Sequence, residues 1–160
     1  MNRPTVVRTK TLGAAMVTLA FLLTGAGWTQ AQDTDRVDKT SRSSFSDTLK
    51  KLETALKSEG TMIVATIDHR NMLTMVGTKI RGATTIEFGS PAMGKMLLPM
   101  NAAIGLEMPA KIYVYETAEG RTILSYRKVA RQFAAYGAEV AKAGQMMDMM
   151  LDKVTSAAAQ

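Results

Sequence analysis

Two alternating runs, AKIYVYET over residues 110–117 and RTILSYR over 121–127, are separated only by AEG. Period-two alternation on both sides of so short a link predicts an antiparallel hairpin, and Gly120 can supply the positive φ that a tight turn demands. Two earlier segments rich in β-branched residues, TMIVATID at 61–68 and TTIEF at 84–88, read as further strands. Helical stretches alternate with these strands, but the clearest pair is antiparallel. An α+β fold is therefore expected, a two-layer α/β sandwich with a mainly antiparallel sheet and a long C-terminal helix, rather than a doubly wound parallel fold.

The helical stretches show a different period. Phe45, Leu49, Leu52 and Leu56 recur at three- and four-residue steps, with Ser43 or Ser44 to cap the start and Gly60 to end it. HRNMLTMVGTKIRG, between the first two strands after Asp68, reads as one helical turn and a loop. The segment from Pro91 to about Ile104 reads as helix with a bend near Lys95 to Pro99, since an interior proline removes a backbone hydrogen bond. From about Val129 to Val154, Phe133, Val140, Met147 and Val154 repeat every seven residues, interleaved with Tyr136, Ala143 and Met150. Gly137 and Gly144 are expected to weaken that helix, and SAAAQ to fray.

The chain opens with Arg3, Arg8 and Lys10, then an uncharged run from Thr11 to Gln32 with the apolar centre LGAAMVTLAFLLTGAG. A positive start, an apolar middle and small residues at the exit form a secretory signal. Cleavage after Ala31 would make residues 1–31 the signal, residues 32–42 a flexible lead-in with one short strand near Val37, and 43–156 a single α+β domain. The alternative is an uncleaved anchor, which Gly25, Gly27 and the polar TQAQ weaken. The expected location is the periplasm or beyond, with no membrane insertion after cleavage. The mature part would hold 129 residues, enough for one core, with 17 basic against 14 acidic residues. Scattered basic residues give no phosphate-tracking surface, so no nucleic-acid partner is expected. With no cysteine in the chain, thiol catalysis, thiolate zinc sites and disulfides are excluded, and the core alone must hold the domain.

Four landmarks, IDH at 67–69, EFGSPAMGK at 87–95, GLEMPAKIYVYE at 105–116 and GRTILSY at 120–126, follow one another in order. Together they resemble the domain of unknown function 302 family, over about Ser41 to Gly137. The resemblance implies a small α/β sandwich, often exported and sometimes dimeric, with no agreed activity. It carries onto Asp68, His69, Phe88, Gly89, Pro91, Gly94, Pro109 and Tyr126. Ser90 stands where that family usually has asparagine, Met108 where it has leucine, and Tyr136 where a second histidine is frequent.

Candidate sites divide into four. Met93, Met96 and Met100 share a helix face, as a Cu(I) site with His69 would require, but Leu97, Ala103 and Ile104 lie on the same stripe, so the core reading is preferred and no metal or cofactor is expected. Ser90 can cap and Pro91 suits a first turn, leaving N–H groups at Met93 and Gly94 for an anion. His69 is the sole imidazole, at a strand end; Asp68 beside it should point to the opposite face, and Glu87 or Glu116 could supply a carboxylate from another strand. MMDMM at 146–150 spreads thioethers over a wide arc, which with the heptad seam predicts a homo-oligomer through the C-terminal helix. The function expected is a non-enzymatic periplasmic binding or interaction module, with a small ligand bound near His69, Gly89, Ser90, Met93 and Gly94. The alternatives are a Cu(I) or soft-metal handler using methionines and His69, and a hydrolase or isomerase using His69 with a carboxylate.

Overall fold

The computed structural model describes residues 35–160; the segment read as an export signal lies outside the described residues. Five strands, β1 (Arg36–Thr40), β2 (Met62–Asp68), β3 (Ala83–Gly89), β4 (Ala110–Glu116) and β5 (Thr122–Arg127), form one sheet in the order β1-β5-β4-β3-β2. Every neighbouring pair is antiparallel. The helices are α1 (Phe45–Ser58), α2 (His69–Met75), α3 (Pro91–Met100), α4 (Ala130–Ala134) and α5 (Ala138–Ala158), and a 3-10 turn at Ala102–Glu107 links α3 to β4. The antiparallel order makes β1 and β2 run the same way at opposite edges. Helix α1 therefore has to carry the chain across the sheet.

Alternation decides which side of the sheet is covered. Ile86 and Phe88 of β3, Ile112 and Val114 of β4, and Leu124 and Tyr126 of β5 point to one face, where Leu52 and Leu56 of α1 and Met147, Leu151 and Val154 of α5 meet them. All but Tyr126 and Met147 are at most 1% exposed. Burying side chains of this size contributes about 1.5–3 kcal/mol each before conformational entropy is charged against it. The residues between them, Thr85 and Glu87, Lys111, Tyr113 and Tyr115, Ser125 and Arg127, look out from the other face. That makes the domain an α+β fold of two layers, as the hairpin implied, with one side of its sheet left uncovered by the described residues.

The helical readings were met in part. Ser44 caps α1, accepting from the Asp47 N–H at 3.1 Å. Helix α2 runs two turns rather than one, and α3 continues through Pro99 and ends one residue later, so the proline terminates the helix instead of bending its middle. The short strand expected near Val37 is present as residues 36–40, an edge strand paired along its length with β5.

The C-terminal stretch is not one helix from 129. Gly137, at φ 122° and ψ 163°, stops α4 and starts α5, a backbone geometry open to glycine and strained for other residues. Helix α4 then folds back onto α5. Gly144 is the contact point: a methyl group there would lie 2.8 Å from Ala130 Cα and from Phe133 Cβ. The residue that reads as a helix weakness is thus a packing requirement. Asp148, the acid inside MMDMM, accepts from the N–H groups of Val129 at 2.7 Å and Ala130 at 3.3 Å, capping α4 from its neighbour. Phe133, Val140, Met147 and Val154 are all buried inside the domain. The heptad seam is spent on the chain's own core, while Met146 and Met149 of MMDMM remain exposed. The tail is docked as well, since Ala158 is fully buried and the Arg42 N–H donates to Ala159 O at 2.9 Å.

A cluster on β1, β5 and α5 gives a pH signature. Lys39 Nζ donates to Asp152 Oδ1 at 2.7 Å and to Ser156 Oγ at 2.5 Å, and holds the Asp152 carboxyl below its ordinary range against the opposing effect of burial. Burial first, and the Asp152 charge second, push the Tyr126 phenol from 10.0 up to about 12. A raised pKa means that the fold prefers the neutral phenol. Its contribution is complete below about pH 10 and is lost as pH rises from there through about 12. Urea titrations across that window should show a falling midpoint in the wild type and a flatter one in Tyr126→Phe.

Candidate functional site

Register assembles the site on the uncovered face. Cα partners run Asp38–Ser125, Ser125–Tyr113, Tyr113–Thr85 and Thr85–Ile67, so one row of side chains crosses all five strands. His69 follows two residues after Ile67 and opens α2, whose first turn is capped by Asp68 accepting from the Asn71 N–H at 2.9 Å. With Asp68 so occupied, the imidazole turns the other way, onto the sheet. His69 Nε2 and Thr85 Oγ1 are 2.8 Å apart, and the tautomer decides which donates.

Aromatic contacts continue the row. The His69 ring meets Tyr113 edge to face at 5.7 Å between centroids, and Tyr113 stacks on Tyr115 at 5.1 Å with 15° between the planes. Both distances lie in the favourable range for aromatic pairs, each contributing about 0.5–1.5 kcal/mol. Arg36 Nη2 donates to the Tyr115 hydroxyl at 3.4 Å, and Arg36 Nε donates to Asp38 Oδ1 at 3.0 Å. Burial works to raise the Asp38 carboxyl, but hydrogen bonds from Ser125 and Arg36 outweigh it and leave the group below the usual carboxylate range. Tyr113 shifts the opposite way, raised by burial and then by the nearby Tyr115.

Against this row lies a cavity of about 660 Å³, which also reaches Tyr126 and Leu151 of the covered side. Its walls mix apolar side chains such as Ile67, Leu106 and Val129 with His69, Tyr113, Tyr115 and the charged Arg36, Glu87 and Lys111. That volume falls within the range of small-ligand sites, and an apolar surface with a few converging polar groups is their usual chemistry. No metal-holding group of three or more His, Cys, Asp or Glu exists among the described residues.

The residues singled out from the sequence are divided between two places. His69 lines the cavity, whereas Gly89, Ser90 and Met93 line a separate void of about 20 Å³, room for about one water. The two spaces adjoin, sharing Glu107, Pro109, Ala110 and Val129; Gly94 lines neither. The helix start has also used its donors. Met93 N–H donates to Ser90 Oγ at 3.4 Å and Gly94 N–H to Ser90 O at 3.0 Å, so neither is left over for an anion.

Met93 is half-buried against the core while Met96 and Met100 are exposed, and among the described residues no methionine lines the cavity that holds His69. Glu116 Oε2 accepts from the Gly82 N–H at 2.7 Å, so that carboxylate is engaged away from the imidazole. Thr85, not an acid, is the partner of His69. A hydroxyl and an imidazole at this distance are two parts of a nucleophilic arrangement, and no hydrogen bond orients the other ring nitrogen among the described residues. Sequence reasoning missed Tyr113, Tyr115, Lys111 and Arg36 as site residues. The signal was present in KIYVYE, whose alternation puts Lys111, Tyr113 and Tyr115 on the face opposite Ile112 and Val114.

Comparison with known proteins adds a family and a fold. The family described as Domain of unknown function DUF302 matches residues 37–154. A crystal structure described as an uncharacterized conserved protein DUF302 from Bacillus stearothermophilus superposes with a TM-score of 0.71 at 17% identity, covering 79% of this chain and 99% of that one. At that identity it shows the fold alone. Proteins named fluoride-specific ion channel FluC 1 from Brucella suis and Brucella abortus are 27% identical over 93 residues, 58% of this chain. The chain spans about a third of the length of these curated relatives.

Proposed function

The chain belongs to the family described as Domain of unknown function DUF302, and because that description carries no activity we propose from geometry that it is a periplasmic binding module holding a small planar ligand on its uncovered sheet face. The observation that carries this reading is the cavity over the Tyr113–Tyr115 stack, with His69 at one end and charged side chains around it. A binding site needs an apolar platform and a few fixed polar groups, and the row supplies both. Catalysis asks for more: a nucleophile, a base, an orienting group and donors for developing charge. Only the first pair of these has a counterpart here, which favours binding over acyl transfer. The fluoride-channel activity in the relatives' names is not carried over, since the match spans only about a third of those chains. No helix among the described residues is long and apolar enough to cross a membrane.

The location rests on the amino-terminal pattern of charge followed by an uncharged run. The site itself is tested by titrating 15N-labelled protein with 4-hydroxybenzoate, a planar probe with a phenol and a carboxylate. Saturable shifts of the Thr85, Lys111 and Tyr113 amides are expected, with the Gly89–Gly94 turn unmoved. Shifts that stay linear with concentration, or that concentrate on α3, would remove the proposal.

A further inference from the structure

Methionine is usually a buried residue, and here seven of the eleven methionines among the described residues are exposed. Among the described residues nineteen hydrophobic side chains form the buried set, and Met147 is the one methionine in it. Of the thirteen large hydrophobics that are exposed among the described residues, seven are methionines: Met62 on β2, Met72 and Met75 on α2, Met96 and Met100 on α3, and Met146 and Met149 on α5. Five of these are at least 56% exposed. The core is built from Leu, Ile, Val and Phe, so these seven thioethers contribute little to holding the fold.

Exposed apolar side chains usually mark a docking surface. Protein interfaces, however, enrich Tyr, Trp and Phe together with methionine, and the single exposed aromatic of this set, Tyr113, belongs to the cavity. Leucine would supply the same apolar area. What a thioether adds is a nucleophilic sulfur, and with no cysteine in the chain it is the softest reductant available.

We propose that the seven exposed methionines form a sacrificial surface that consumes hypohalous acid. In the net reaction with hypochlorous acid an S–O bond forms at the thioether and the O–Cl bond breaks. Sulfur loses two electrons, chlorine gains them to leave as chloride, and the acid's proton passes to water. The product, methionine sulfoxide, is polar, and in a core it would disrupt packing. At these seven positions it faces solvent. The placement allows the protein to take up oxygen repeatedly while its sheet and helices stay intact, and methionine sulfoxide reductases can restore the starting state.

The test is stepwise addition of sodium hypochlorite to the purified protein, followed by intact mass, peptide mapping and thermal unfolding. Mass should rise in steps of about 16 Da, with oxygen found on the seven exposed methionines before Met147. The unfolding midpoint should move by less than about 3 °C. Reductase treatment should return the original mass. A variant with leucine at all seven positions should lose the capacity to protect an oxidation-sensitive reporter enzyme mixed with it, while the wild type lowers reporter inactivation several-fold. Oxidation of Met147 in step with the exposed set, unfolding after the first equivalents, or equal protection by the leucine variant would overturn the proposal. The mapping on the wild type decides the matter even if the variant does not fold.

Discussion

Gly144→Ala is expected to destabilise the domain by about 2 kcal/mol, although the same substitution in an open helix stabilises it. Replacing glycine in a helix interior gains about 1 kcal/mol from propensity. At Gly144 the added methyl would sit 2.8 Å from the Ala130 backbone and from Phe133 Cβ, and neither can yield like the end of a flexible side chain. Helix α4 must move off α5, and it is held there by the Asp148 carboxylate on the Val129 and Ala130 N–H groups and by buried Phe133. Overpacking a close contact costs about 1–3 kcal/mol, and here the loss of docking adds to it. Gly94→Ala in α3 is the control, because its methyl would meet only Met108 Cε at 3.8 Å. That variant should gain about 0.5–1 kcal/mol. Urea unfolding of both, with the slope unchanged and the midpoints shifted in opposite directions, is the result expected. A stabilised Gly144→Ala would mean that the α4 and α5 contact is looser than described.

Gly144 also shows where the sequence could be read and where it could not. The strands of the hairpin, the cap at Ser44 and the covered face of the sheet follow from local chemistry, namely alternation, turn residues and a side-chain oxygen next to free N–H groups. Family membership followed from four short motifs in order. The break at Gly137 and the close approach at Gly144 did not, because the same residue weakens a lone helix and permits contact between two. Only tertiary position separates those roles. MMDMM was ambiguous for a related reason: its aspartate caps another helix, and of its four thioethers one enters the core while two face water.

His69 was visible as the sole imidazole, but its partner was not. Thr85 lies on the neighbouring strand, and pairing Ile67 with Thr85 requires a register that a β-bulge between Ile63 and Ala65 alters. Strand order mattered as much. Arg36 reaches Tyr115 because β1 and β4 both flank β5, an arrangement no local pattern announces.

The second large effect is expected at the centre of the row. Tyr113→Ala should weaken 4-hydroxybenzoate binding by at least about tenfold, equivalent to about 1.4 kcal/mol. Two ring contacts disappear, the edge of His69 and the stack on Tyr115, and with them the platform on which a planar probe would lie. Stability should fall by about 1–3 kcal/mol with the two ring contacts, and the titration is read where the variant's spectrum shows it folded, since the Tyr113 side chain is 36% exposed and stands on the face away from the core. Reading affinity on folded protein keeps the test informative. Tyr113→Phe keeps the ring and loses only the hydroxyl, so its affinity should stay within about threefold of the wild type. Thr85→Val removes the hydroxyl that holds His69 Nε2 and should give an intermediate loss, since the imidazole is then free to leave the edge contact. Isothermal titration of the three variants beside the wild type ranks them. An unchanged affinity in Tyr113→Ala would place the ligand somewhere other than the uncovered sheet face, and a loss in Tyr113→Phe equal to that in Tyr113→Ala would assign the effect to the hydroxyl and not to the ring.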